Sequence, residues 1–193
     1  MQERLAELRE QWQAEGDRWP EIVHHMQNRI GINTGQMVTG NMGSDSRMNY
    51  TMMGDTVNLA ARLESSAKQY GIYIQIADST YESVKDQVVI RALDFVKVMG
   101  KEEPVKVYEL ISEVGQEPEP YKKILPAFHE AIAYYFNQDW EKAIEAFKAA
   151  DELEEMFAGR KTNPSRIYIP RCEHFKVNPP GDDWDGVWTL TSK

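Results

Sequence analysis

Thr51-Met52-Met53-Gly54-Asp55-Thr56-Val57-Asn58-Leu59-Ala60-Ala61-Arg62 carries the chain from an extended run, through a Gly-Asp turn, into a helix. Tyr50 and Thr51 close the β-like run, and Asp55 is placed to cap a helix that reaches about Tyr70, where Gly71 closes it. On such a helix Asn58 and Arg62 lie one turn apart and point the same way. Ser65 and Gln69 continue their polar stripe, while Leu59, Leu63 and Ala67 take a different face that can pack on a sheet. Asn58 also falls in the first turn, where the helix dipole favours an anion.

Working outward, residues 29–33 and 36–40 read as short strands joined at Thr34-Gly35, and residues 47–52 as a third after the turn Gly43-Ser44-Asp45-Ser46. Downstream, strands are expected at 73–77, 88–99 and 105–111, with a short helix at 78–85. Mixed strands and helices in this order specify an α+β sheet. Leu5, Leu8 and Trp12 give residues 1–15 a helical period, which Gly16 to Pro20 break.

Residues 113–120 (Glu-Val-Gly-Gln-Glu-Pro-Glu-Pro) have linker composition. The expected division is a first unit at 1–115, a linker at 116–120, and a helical hairpin with an extended tail at 121–193. Residues 121–136 and 139–157 are amphipathic, and their Ala, Tyr, Trp and Phe placements resemble one tetratricopeptide hairpin. Stacked repeats share a core only in arrays of about three, so a helical pair packed on the preceding unit is the favoured reading. Pro164, Pro170 and Pro179-Pro180 make the last thirty residues read as extended.

Composition excludes several functions. A net charge of −9 over 193 residues argues against general nucleic-acid binding, which needs a basic surface. Cys172 is the only cysteine, so no internal disulfide forms and a reducing, cytoplasmic setting is expected. No apolar run approaches the roughly 20 residues that span a bilayer, although a parent protein could be membrane-anchored upstream. His24-His25 and the pair Cys172/His174 lack a second Cys/His pair to complete a metal site.

Together with Arg29-Ile30-Gly31-Ile32-Asn33-Thr34-Gly35 and Gly40-Asn41-Met42-Gly43-Ser44, the opening stretch resembles the second half of a class III adenylate/guanylate cyclase catalytic domain, over about residues 29–110. The resemblance implies a ferredoxin-like cyclase sheet lacking its N-terminal strands. It implies that Asn58 holds the ribose and Arg62 stabilises the transition state. Thr51 stands where the family selects the base, and a hydroxyl that accepts from the adenine amino group points to ATP. The same hydroxyl can donate, so guanylate cyclase is the substrate alternative. Lys101, in Val98-Met99-Gly100-Lys101, matches the family lysine that contacts the terminal phosphates, although Met99 replaces the first lysine of that segment.

Family members carry two metal-binding aspartates in the first half of the domain, and neither has a counterpart in this sequence. The resemblance therefore implies two Mg2+ or Mn2+ ions held by the missing N-terminal half or by the partner of a homodimer. The expectation is an adenylate cyclase half-site, inactive alone. A non-catalytic cyclase-like regulatory module is the alternative, and the helical tail could dock a protein partner.

Overall fold

In the computed structural model, which describes residues 1–96, 104–154, 161–181 and 183–188, helix α1 spans Gln2–Ala14 and a one-turn helix α2 spans Glu21–His24. Strands β1 (Ile30–Ile32), β2 (Val38–Ser44) and β3 (Arg47–Met53) lead into α3 (Asp55–Tyr70). Then come β4 (Ile74–Ala77), α4 (Asp78–Val84), β5 (Val88–Val96) and β6 (Val105–Glu113). Helices α5 (Tyr121–Phe136), α6 (Trp140–Glu154) and α7 (Pro164–Val177) complete the order. The mixed α+β class is as expected, and the hairpin strand β2 runs further, to Ser44, than its sequence suggests.

The four-stranded sheet has the order β1-β4-β6-β5. β1 and β4 are parallel, with Ile30 opposite Ile74, whereas β4–β6 and β6–β5 are antiparallel. Parallel neighbours need a long crossover. Here the β2–β3 hairpin and α3 provide it. Among the described residues the hairpin pairs only with itself, from Val38↔Met53 to Ser44↔Arg47, and every residue of β3 is exposed.

Leu59, Leu63, Ala67 and Tyr70 recur at helical spacing on α3 and are buried against the sheet with Leu93 and Val107. Each buried leucine contributes roughly 2 kcal/mol. Two glycines permit the close fit. A Cβ on Gly31 would strike the Ala60 carbonyl, so β1 crosses α3 at a distance no side chain allows. Gly71, at φ +66°, takes the left-handed conformation that ends α3, and a Cβ there would strike the carbonyl of Thr162.

A second core joins α5, α6 and α7 through Phe128, Tyr135, Phe147, Tyr168, Cys172 and Phe175. The segment read as extended contains α7, and its prolines explain the difference. Pro164 occupies the start of the helix, where a missing N–H costs nothing, and the Asn163 side chain accepts from the Arg166 N–H at 3.0 Å as a cap. Pro170 does sit inside α7, but burial of Tyr168, Cys172 and Phe175 around it outweighs the lost backbone bond. Trp184, beyond α7, packs edge-on against Tyr135 with ring centroids 5.1 Å apart.

Buried polar contacts join the two cores. Arg91 of β5 donates to Glu109 of β6 at 2.8 Å and to Glu154 of α6 at 2.6 Å. Arg171 of α7 donates to Asp94 of β5 at 2.6 Å, and the Tyr70 hydroxyl at the end of α3 donates to the same carboxylate oxygen at 2.6 Å. Burial and the Asp94 carboxylate hold the Tyr70 hydroxyl well above the usual phenol range, so it stays a donor. Tyr168 donates to the Leu93 carbonyl. The C-terminal helices are thereby tied through the sheet to the far end of α3.

Candidate active site

The turn between β3 and α3 sets the site. Gly54, at φ 143°, is the N-cap, and Asp55 is the first helical residue, with no side-chain capping bond. This corrects the expectation that Asp55 caps the helix: the glycine takes a φ that an L side chain resists, and its carbonyl accepts from the N–H groups of Val57 (3.1 Å) and Asn58 (3.2 Å). The helix therefore begins at a fixed point directly after the hairpin.

Asn58 and Arg62 are exposed on α3, while Leu59 (5% exposed) and Leu63 (1%) anchor the opposite side. Ser65 and Gln69 are exposed along the same helix. Thr51 is exposed on β3 opposite Gly40, three residues before the N-cap. Thr51, Asn58 and Arg62 are thus all accessible, the first near the hairpin's end and the other two in the first two turns of α3. Lys101 lies outside the described residues.

A polar brace not foreseen from the sequence steadies this region. The Asn33 amide donates to the Thr56 carbonyl at 3.1 Å and its oxygen accepts from the Ser79 hydroxyl at 2.8 Å. Asn33, just after β1, thus links the starts of α3 and α4. Its position between a strand and the Thr34-Gly35 turn was the available signal, since Asn there commonly bonds backbone across a turn.

The region is open surface. Two cavities, of about 220 and 370 Å³, are lined by other residues, none of them Thr51, Asn58 or Arg62. Among the described residues no group of three or more His, Cys, Asp or Glu side chains could hold a metal ion. The donor set among the described residues therefore does not fit a metal pair. No described helix is long and apolar enough to cross a membrane.

Comparison with known proteins gives consistent matches. The family model described as "Adenylate and Guanylate cyclase catalytic domain" matches residues 5–112, more than half the chain. The chain is 37% identical over 147 residues to the "Adenylate cyclase, terminal-differentiation specific" of Dictyostelium discoideum, covering 74% of this chain and 7% of that protein. It is 40% identical over 86 residues to adenylate cyclase 1 of Rhizobium meliloti, covering 45% of this chain and 13% of that protein. Among solved structures, the adenylyl cyclase CyaB from P. aeruginosa is similar at 35% identity and a TM-score of 0.48, over 61% of this chain and 56% of that one. The chain thus spans a small part of the length of these curated relatives.

Proposed function

This chain belongs to the family of adenylate and guanylate cyclase catalytic domains, and on that premise we propose that it supplies the base-, ribose- and transition-state-binding half of an adenylate cyclase site. The reaction converts ATP to 3′,5′-cyclic AMP and pyrophosphate as a signalling step. A bond forms between the ribose 3′-oxygen and the α-phosphorus, the bond from that phosphorus to the bridging α,β-oxygen breaks so that pyrophosphate leaves, and the hydroxyl proton passes to solvent water.

The observation that carries this reading is the division of α3. Its buried face fixes the helix on the sheet, and its exposed face presents Asn58 and Arg62 one turn apart. In the proposed roles the Asn58 carboxamide holds the ribose so that its 3′-oxygen stays in line with the α-phosphorus, where positioning supplies much of the rate. The Arg62 guanidinium forks onto the α-phosphoryl oxygens as charge grows there. Thr51 accepts from the adenine amino group, and Lys101 meets the terminal phosphates. ATP is preferred over GTP on the strength of Thr51 and of relatives named adenylate cyclases.

An open site needs a second wall to exclude water. The hairpin exposes Met48 (60%), Tyr50 (74%) and Met52 (52%), alternate residues on one face of β3 and an apolar surface of the kind that marks an interface. This supports a second cyclase subunit closing the site. Because the described donor set does not fit Mg2+ or Mn2+, the ions' carboxylates are assigned to residues outside those described or to that subunit.

The test is cyclic-nucleotide production by the pure chain, supplied with manganese and ATP or GTP. Negligible product is expected from either. Either cyclic nucleotide from the chain by itself would overturn the half-site assignment, and cyclic GMP without cyclic AMP would also overturn the choice of ATP.

A further inference from the structure

His25, Arg29, Lys68 and Lys161 are distant in sequence but line one cavity of about 370 Å³, with Gln27 and Tyr73 among its other walls. The cavity lies at the seam where Thr162, ahead of α7, closes against Gly71 at the end of α3. No carboxylate is among its described lining residues. Lys68 and Lys161 have no ion-pair partner among the described residues, and Arg29 has only a loose one, 3.9 Å from the half-exposed Glu64. In a chain of net charge −9, this is a local excess of the opposite sign.

The balance indicates what would fill it. Among the described residues three permanent cations stand against one carboxylate and the C-terminal end of the α3 dipole, equivalent to about −0.5 charge. The dipole is a modest opponent, because the carbonyls of Ala67 and Lys68 already accept from the Ile72 and Gly71 N–H groups. The remaining excess, roughly +1.5, matches the charge of about −1.5 to −2 on a phosphate monoester better than the single charge of a carboxylate. Arginine's planar fork can take two phosphoryl oxygens while the ammonium groups act as point charges on the third. The volume falls at the low end of the range for small-molecule sites, about 300–1,000 Å³, leaving room beyond one phosphoryl group.

We propose that this cavity binds a small phosphate-bearing anion at a site separate from the surface that carries Thr51, Asn58 and Arg62. A ligand there bridges the start of β1, the last turn of α3 and the segment leading to α7, so it braces the helix on which Asn58 and Arg62 sit. The inference rests on the cavity alone and stands or falls independently of the cyclase reading.

Titration calorimetry of the whole chain at constant ionic strength tests it, with glycerol 3-phosphate, inorganic phosphate and acetate as probes. Phosphate-bearing probes are expected to bind at least tenfold more tightly than acetate. Lys68→Gln combined with Lys161→Gln should weaken them at least tenfold with an unchanged melting temperature, since both lysines are exposed. Asn58→Ala and Arg62→Ala should leave them unaffected. Tighter glycerol 3-phosphate than phosphate assigns a phosphorylated small molecule, and the reverse assigns free phosphate. Phosphate no tighter than acetate, binding indifferent to the lysine pair, or binding lost with Arg62→Ala would overturn the proposal.

Discussion

Asn58 and Arg62 matter because their neighbours do opposite work: Leu59 and Leu63, adjacent in sequence, are buried. The account predicts that Arg62→Ala, in a site completed by a cyclase partner, lowers turnover by about 10²–10³-fold, the usual cost of losing one charge-stabilising donor. Arg62→Lys should recover little of this, because an ammonium lacks the guanidinium's fork. Steady-state kinetics with ATP checks both. Gly71→Ala is a contrasting residue-level case, expected to cost at least about 1 kcal/mol by urea denaturation through the left-handed backbone alone, with the Thr162 carbonyl adding to it. The polar face of α3 was legible in the sequence because helical spacing separates it from Leu59 and Leu63. The brace from Asn33 to Thr56 and Ser79 was not, since it joins residues up to 46 positions apart.

Among elements, α3 and α5 were readable because long amphipathic periods mark them and Gly71 closes α3, although the start of α3 is set by Gly54 and not by Asp55. α7 was not, because Pro164 and Pro170 signal a break locally and only packing against α5 and α6 reverses that signal. The same limit hid the buried ion network: Arg91 and Asp94 interrupt the apolar run of β5, but their partners Glu154 and Arg171 are 63 and 77 residues away. Arg91→Leu should destabilise the protein by about 3–5 kcal/mol, because it removes the buried guanidinium that balances the charges of Glu109 and Glu154. Replacing Arg91, Glu109 and Glu154 together by apolar residues of similar size should restore most of the loss, as measured by denaturant midpoint. A small effect of Arg91→Leu alone would show that the carboxylates reach water.

For the whole molecule, these bridges predict that the sheet and the α5–α7 unit unfold in one transition, with tyrosine and tryptophan probes coinciding. Cys172 supplies a direct readout, since it is 0% exposed and burial pushes its thiol up to about 12. It should resist a disulfide reagent in the native protein and react at once in denaturant; prompt native reaction would mean that α7 detaches easily. The most direct test of the central claim is complementation. The chain is mixed with a class III cyclase catalytic domain that keeps its metal-binding aspartates but has lost its own counterparts of Asn58 and Arg62, and cyclic AMP is measured from ATP with manganese. Product is expected from the mixture, from neither component alone, and none when this chain carries Arg62→Ala. A mixture that associates yet makes no product, or whose product survives Arg62→Ala, would contradict it.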